Sequence, residues 1–190
     1  RDLNGDGLIS LDKDRTFIGD PHPKLTGGLN IDLGYGNFDL NMFFYGSYGN
    51  DMINYVSRWI DYGQFVGGLS KDALYNSWTP SNTGARLPML DGASHSQDAS
   101  TAFIEDGSFL RLKTMRLGYT LPKTALDKVK MKSVRLYLQA TNLFTMTKYS
   151  GLDPEVNTLS NTAGEGNRMG VDKGAWPTPR QITFGVTVGL

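Results

Sequence analysis

The run Asp2-Leu3-Asn4-Gly5-Asp6-Gly7-Leu8-Ile9-Ser10 sets oxygen-bearing side chains at alternate positions ahead of a glycine. Hard oxygen donors at loop positions one, three and five, a turn glycine at six and a backbone carbonyl at seven are what a Ca²⁺ loop needs. The ligand set would be Asp2, Asn4, Asp6, the Leu8 carbonyl and Ser10, closed by an acid from Asp12 or Asp14. Position twelve, where such loops carry a bidentate Glu, is Lys13, so closure demands a shifted backbone. The role expected of the ion is structural. A solvated loop of Asx turns is the other reading of the same residues.

A second concentration of chemistry lies between Gly49 and Gly107, where Trp59, Tyr62, Phe65, Tyr75 and Trp78 follow one another. Such rings build stacking platforms for sugars, and they equally pack a long loop into a cap. Trp59, Tyr62 and Trp78, with Trp176 behind them, are the candidates for substrate contact. Glu105-Asp106 and Asp153-Pro154-Glu155 are carboxylate pairs, but glycosidase acids are defined by separation in space, not by spacing in sequence. No G-x-S-x-G, phosphate loop or zinc motif is present, and the chain is read as a non-enzyme.

Composition narrows the classes further. There are no cysteines and only His22 and His95, which removes disulfides and thiolate zinc sites and disfavours His-dependent triads. The 19 Lys+Arg balance 19 Asp+Glu with no basic cluster, which argues against a nucleic-acid partner. Twenty-three glycines and 11% aromatics suit β-structure with long loops, membrane barrels included. The chain begins at Arg1 without a leader pattern and is expected to be a fragment or a processed chain.

The elements that would position these residues are read from alternation. Leu25, Leu29, Ile31, Leu33 and Tyr35 share one face against Thr26, Asn30 and Asp32. Gly36-Asn37 turns the chain, and Phe38, Leu40, Met42 and Phe44 resume the apolar face, so a hairpin is predicted. Ile182, Phe184, Val186 and Val188 alternate cleanly with Gln181, Thr183, Gly185 and Thr187, as Val134, Leu136, Leu138 and Ala140 do with Arg135, Tyr137, Gln139 and Thr141. Phe109 to Leu121 is mixed. Strands are predicted at about 24–36, 38–47, 108–121, 134–146 and 180–190, long enough to cross a bilayer when tilted. Asp51 to Asp61 is read as a short amphipathic helix, and Thr124 to Met131 as one or two helical turns.

Connections alternate between short and long. Gly36-Asn37 and the linker from Pro122 to Ser133 are short; Ser47 to Gly107 and Thr147 to Pro179 are long, and both long ones fall at the same end of the sheet. Short turns at one end and long loops at the other describe a transmembrane β-barrel. The fold class predicted is all-β: the carboxy-terminal strands of a large antiparallel transmembrane β-barrel with long extracellular loops. About five strands cannot close one, since the smallest use about eight, and an open edge in lipid is not tolerated. The rest of the barrel would lie outside this sequence.

Several strings occur together in order. They are Asp2 to Gly7, Ile18-Gly19-Asp20-Pro21-His22-Pro23, Phe38-Asp39-Leu40, Glu105-Asp106-Gly107-Ser108-Phe109-Leu110-Arg111-Leu112-Lys113 and Leu117-Gly118-Tyr119-Thr120-Leu121-Pro122. Asn142-Leu143-Phe144-Thr145, Lys148-Tyr149-Ser150-Gly151-Leu152-Asp153-Pro154-Glu155 and Pro179-Arg180 follow. Across nearly the whole chain this resembles the carboxy-terminal part of SusC/RagA-type TonB-dependent outer-membrane transporters of Bacteroidetes.

The resemblance implies a plugged barrel of the 22-stranded kind, in the Gram-negative outer membrane. It would import glycans or peptides, with a SusD-like surface lipoprotein as lid and TonB pulling on an amino-terminal plug that this chain lacks. Aromatic content tilts the cargo toward glycan. Residues 1–23, the Gly49–Gly107 segment and the Thr147–Pro179 segment would then lie outside the cell. Arg116, Arg135 and Gln139 would line the lumen or touch the plug, while Arg111 and Lys113 would reach the outer lipid boundary. The chain departs from the family pattern twice. One extra residue precedes Asp14-Arg15, and Leu190 stands where outer-membrane barrels usually end on an aromatic, so either Leu190 substitutes or further residues follow. The alternative reading is a soluble, extracellular, calcium-stabilised β-sandwich that binds glycan.

Overall fold

Five long strands are hydrogen-bonded in a single antiparallel sheet in the order β1-β2-β5-β6-β8. They are β1 (Leu25–Tyr35), β2 (Phe38–Tyr48), β5 (Phe109–Thr120), β6 (Ser133–Thr147) and β8 (Gln181–Gly189). A second, three-stranded sheet, β4-β3-β7, comprises β3 (Asp51–Asn54), β4 (Ile104–Asp106) and β7 (Val171–Asp172). Among the described residues the other elements are three short α-helices, α1 (Tyr55–Asp61), α2 (Lys71–Asn76) and α3 (Lys123–Leu126), and a 3₁₀ turn at Thr101–Phe103. The structure, a computed structural model, describes residues 2–10, 12–63, 67–90, 100–126, 131–156 and 169–189. Phe65, His95, Leu190 and half of the predicted helical segment from Thr124 to Met131 fall outside them.

Because paired residues share a face, the register resolves the two sides of the large sheet. One row reads Leu33, Leu40, Leu117, Leu138 and Phe184 across all five strands; the adjacent row reads Asp32, Asn41, Arg116, Gln139 and Thr183. The apolar rows are open: Leu29 is 58% exposed and Phe184 67%. Among the described residues no second sheet packs on that face.

The mixed pattern in β5 has a local cause. Phe43 pairs with Thr114 and Phe44 with Leu112, so Lys113 is one residue too many opposite β2. Such a bulge shifts the period by one. Leu110 and Leu112 keep to the apolar face on one side of it, and Met115, Leu117 and Tyr119 on the other; Arg111 is thereby turned onto the polar face.

The polar face is built by large groups lying over glycines. Asp39 and Arg135 form an ion pair above Gly118, where a Cβ would meet the Asp39 Oδ1 at 2.5 Å. Tyr137 lies over Gly185, and Phe43 covers Gly28. The Arg116 guanidinium stacks on Tyr137 at 4.2 Å.

All long connections leave one end of this sheet. The β2/β5 ladder runs on past that end: Gly107 N–H donates to the Asn50 carbonyl, and Asp51 then pairs with Asp106, so the wall passes directly into the small sheet. The segment predicted as one helix, Asp51 to Asp61, is therefore strand β3 followed by α1. The break sits at Asn54, whose side-chain oxygen accepts from Ser57 N–H at 2.9 Å and caps α1, while Met52 is held in the sheet, 2% exposed. Met52, Asn54, Phe103, Tyr149 and Asp172 are among the best-buried side chains and lie in this cap; Arg111 and Leu112 near its junction and Leu126 in α3 at the other end are buried to a similar degree.

Candidate functional site

The cap is fastened to the wall by Arg111. Its Nε donates to Thr145 Oγ1 at 2.8 Å, Nη1 to Glu155 Oε2 at 2.7 Å and Thr178 Oγ1 at 2.9 Å, and Nη2 to Asp153 Oδ1 at 2.5 Å. Lys113 adds a second cation on Glu155. Asp153 Oδ2 accepts from Thr178 N–H and Oγ1, so one carboxylate joins both ends of the 148–180 connection to the strand. Arg111 is thus buried in an ion-pair cluster on the polar face. It does not reach for a lipid boundary, because the Lys113 bulge turns it inward.

Burial pushes the Asp153 carboxyl upward. Hydrogen bonds from Arg111, from the Thr178 hydroxyl and N–H and from Glu155 N–H outweigh this and bring it down to about 2. A carboxylate depressed in the fold stabilises it above its unfolded value, near 4, and that contribution is lost as pH falls toward the folded value. The 148–156 segment should therefore stay protected at pH 5 and open between about pH 4 and pH 2. Hydrogen exchange across that window checks it; protection unchanged at pH 2 would refute it.

A second set of polar anchors orders the cap itself. Tyr149 donates its hydroxyl to Asp172 Oδ2 at 2.6 Å, and burial together with this donation pushes its phenol up. Asp172 Oδ1 accepts from Gly174 and Ala175 N–H. Glu105 takes Ser150 N–H at 2.7 Å and Ser150 Oγ at 2.8 Å, and Asn54 Nδ2 at 2.9 Å. Asp61 accepts from Ser57 and Ser70 hydroxyls, joining α1 to α2. Both carboxylate pairs noted in the sequence thus contribute an acid that ties loops together, and each such acid is already saturated with donors.

The four aromatic candidates do not form one platform. Trp59 stands edge-on to Tyr55 at 6.0 Å, and Tyr55 also carries Arg58 and Lys173 on its ring. Tyr62 packs edge-on to Phe103 at 4.9 Å, and burial pushes its phenol up. Trp78 is 38% exposed beside the Ser77–Leu87 bridge, and Trp176 is 96% exposed. The two exposed tryptophans enter no ring pair among the described residues, so their faces are open to a ligand.

In the Asp2 loop the oxygens are occupied by the chain itself. Asp2 accepts from Gly5 and Gly7 N–H, Asn4 from Asp6 N–H, and Asp6 from Leu8 N–H. Asp14 accepts from Leu3 and Ser10 N–H, and these bonds hold its carboxyl below the usual range. Lys13 places its ammonium 3.3 Å from Asp6 Oδ2. Asp12 takes no part in this bonding among the described residues. Among the described residues no group of three or more His, Cys, Asp or Glu converges as a metal site would require.

Of the polar-face residues, Arg135 is paired with Asp39, and Gln139 faces the sheet row of Arg116. Arg116 Nε is buried without an acceptor among the described residues. The Arg111 cluster and the Tyr149–Asp172 bond were not predicted from sequence. The only trace of them was a charged residue on a strand and an Asp-Pro-Glu run far along the chain.

No protein-family profile matches the chain. It is 38% identical over 188 residues to the TonB-dependent receptor P3 of Formosa agariphila, covering 98% of this chain and 18% of that protein. It is 35% identical to the receptor P26 of the same organism, and 32% identical over 186 residues to the TonB-dependent receptor SusC of Bacteroides thetaiotaomicron. The chain thus spans under a fifth of the length of these relatives. Among solved structures it superposes on the RagAB peptide importer in its open-open state with a TM-score of 0.76 and 29% identity, covering 96% of this chain and 19% of that one. The closed-closed state gives 0.75 at 28%. Strand order, the uncovered apolar face and the one-ended loops agree with these matches, and the chain belongs to the SusC/RagA-type TonB-dependent receptors as a stretch of their transmembrane β-barrel wall.

Proposed function

We propose that the chain is a wall-and-cap segment of an outer-membrane, TonB-energised importer of oligomeric nutrients that works with a SusD-like surface lipoprotein. The observation that carries this is the junction at the loop end. A sheet with one bare apolar face passes without interruption into an ordered polar cap, and Arg111 locks the two together. A cap so fixed gives cargo and lid a preorganised surface rather than a floppy loop. Oligosaccharide is the first reading of the cargo, from Trp59, Tyr62, Trp78 and Trp176 in or beside the cap. Peptide is the second, favoured by the structural likeness to a peptide importer. TonB would act through a plug elsewhere in the full-length protein.

The test is purification of the full-length parent in detergent from its native host. A stable complex with a surface lipoprotein, holding oligosaccharide or peptide, is the expected outcome. A parent that stays soluble without detergent and captures no lipoprotein would sink the proposal.

Ca²⁺ in the Asp2 loop belongs to the same reading as a structural ion. The donor set of Asp2, Asn4, Asp6, the Leu8 carbonyl, Ser10 and an acid at Asp12 or Asp14 is chemically suited to it, while Lys13 is not. Calorimetric titration of the parent should show that Lys13→Glu tightens Ca²⁺ binding by about tenfold or more, since ligand charge count sets affinity in such loops. No heat from either protein at millimolar Ca²⁺ would leave the Asx-turn loop as the correct account.

A further inference from the structure

The cap divides its charges unevenly. Each described acid of the 49–107 and 148–180 connections accepts a hydrogen bond from the chain itself, as Asp51 does from Asp20 N–H and Asp72 from Asn76. Asp72 is also paired with Arg86. Lys71 and Lys173, by contrast, are exposed, and neither forms an ion pair among the described residues. The carboxylates are spent on tying loops together, and cations are left on the surface.

Lys173 differs from an ordinary surface lysine in being held. Val171 and Asp172 pair with Ile53 and Asn54 of β3. Asp172, 2% exposed, takes Gly174 and Ala175 N–H on Oδ1 and so fixes the turn that follows. Gly174 lies against α1, where a Cβ would meet Val56 Cγ2 at 3.4 Å. This turn brings Lys173 Nζ to 6.0 Å from the centre of the Tyr55 ring, and Arg58, three residues along α1, brings its guanidinium to 5.3 Å from the same ring. The ring attracts each cation, but the two cations repel each other. A bound anion would relieve that repulsion. Indoles border the same spot: Trp59 meets Tyr55 edge-on at 6.0 Å, and Trp176, 96% exposed, follows on the segment that carries Lys173.

We propose that this nest takes an acidic sugar unit of the cargo, a uronate or a sulfate ester, with the anion on Lys173 and Arg58 and the apolar sugar face on an indole. The assignment rests on the reading of the cap as the cargo-facing surface. An anion on an ammonium and a guanidinium makes charge-assisted contacts. The open face of Trp176 favours a sugar over an acidic peptide, because a flat indole matches the apolar face of a pyranose.

The full-length parent in detergent, with any lipoprotein that co-purifies, is incubated with separate pools of oligogalacturonates, carrageenan oligosaccharides, neutral xylo-oligosaccharides and Glu-rich peptides. Retained oligomer is counted by native mass spectrometry. One acidic sugar pool should be retained at least about tenfold over the neutral one, and which of the two it is distinguishes carboxylate from sulfate. Lys173→Gln should lose about tenfold of that retention, the worth of one hydrogen bond to a charged group, and leave neutral sugars unaffected. Lys71→Gln removes an exposed lysine that lies over no ring among the described residues and should match the parent. Preference for the neutral pool, or equal retention by Lys173→Gln and the parent, would overturn the nest. Preference for the Glu-rich peptides over both acidic sugars would overturn the sugar assignment in favour of an acidic peptide. Retention of no pool would overturn the cargo-facing reading of the cap, and the proposal with it.

Discussion

Arg111→Met should release the 148–156 segment from the wall at a cost of roughly 3–5 kcal/mol, the penalty for removing one partner of a buried ion pair. Arg111 is 3% exposed and Asp153 5%, so water cannot step in for the guanidinium. Asp153 would keep only the Thr178 bonds and the Glu155 N–H, and would bind a proton to avoid an uncompensated charge. Glu155 would fare better, since Lys113 still holds both of its oxygens. Arg111→Lys should recover only part of the loss, because four bonds in a planar fork cannot be reproduced by one ammonium. The check is hydrogen exchange or limited proteolysis of the full-length parent, read at residues 148–156 and at β8. The segment should open while β8 stays protected; unchanged protection of the segment would show that the cap does not depend on this anchor.

The second large effect lies on the opposite face. Phe184→Arg should cost about 2–4 kcal/mol and depress barrel assembly, because it sets a charge on the lipid side near mid-strand. Thr183→Arg, one residue earlier, should be tolerated, since its row already holds Asp32, Asn41, Arg116 and Gln139. Heat-modifiable mobility of the parent on gels separates folded from unfolded barrel. Equal behaviour of the two variants would mean that the faces have been assigned wrongly.

What was legible in the sequence followed from short range. Period two is a local property of the backbone, so Ile182 to Val188 and Leu25 to Tyr35 declare their faces without knowledge of their partners. The transmembrane barrel class followed from that alternation and from the one-sided loop lengths, and the structural matches bear it out. What was hidden depended on pairing. The Lys113 bulge exists only relative to β2, so the apolar positions of β5 looked mixed, and Arg111 was placed at the lipid boundary instead of in the cap anchor. Its Asp153 partner lies 42 residues away. In the same way Met52 satisfies a helical pattern with Tyr55, Val56 and Trp59, and only the ladder to Glu105 shows it to be strand. The aromatic candidates were identified by type, and type does not say which rings pack on each other: Trp59 and Tyr62 lean on Tyr55 and Phe103, whereas Trp78 and Trp176 remain open.

The central claim is that these strands cross a membrane with every long connection on the outer side. The chain has no cysteine, so single cysteines at Ser81 in the cap and at Asn37 in the tight hairpin turn are unambiguous reporters once the parent's other thiols are replaced. A membrane-impermeant maleimide applied to intact cells should label Ser81→Cys and spare Asn37→Cys until the outer membrane is permeabilised. Labelling of both in intact cells, or of Asn37→Cys alone, would contradict the account.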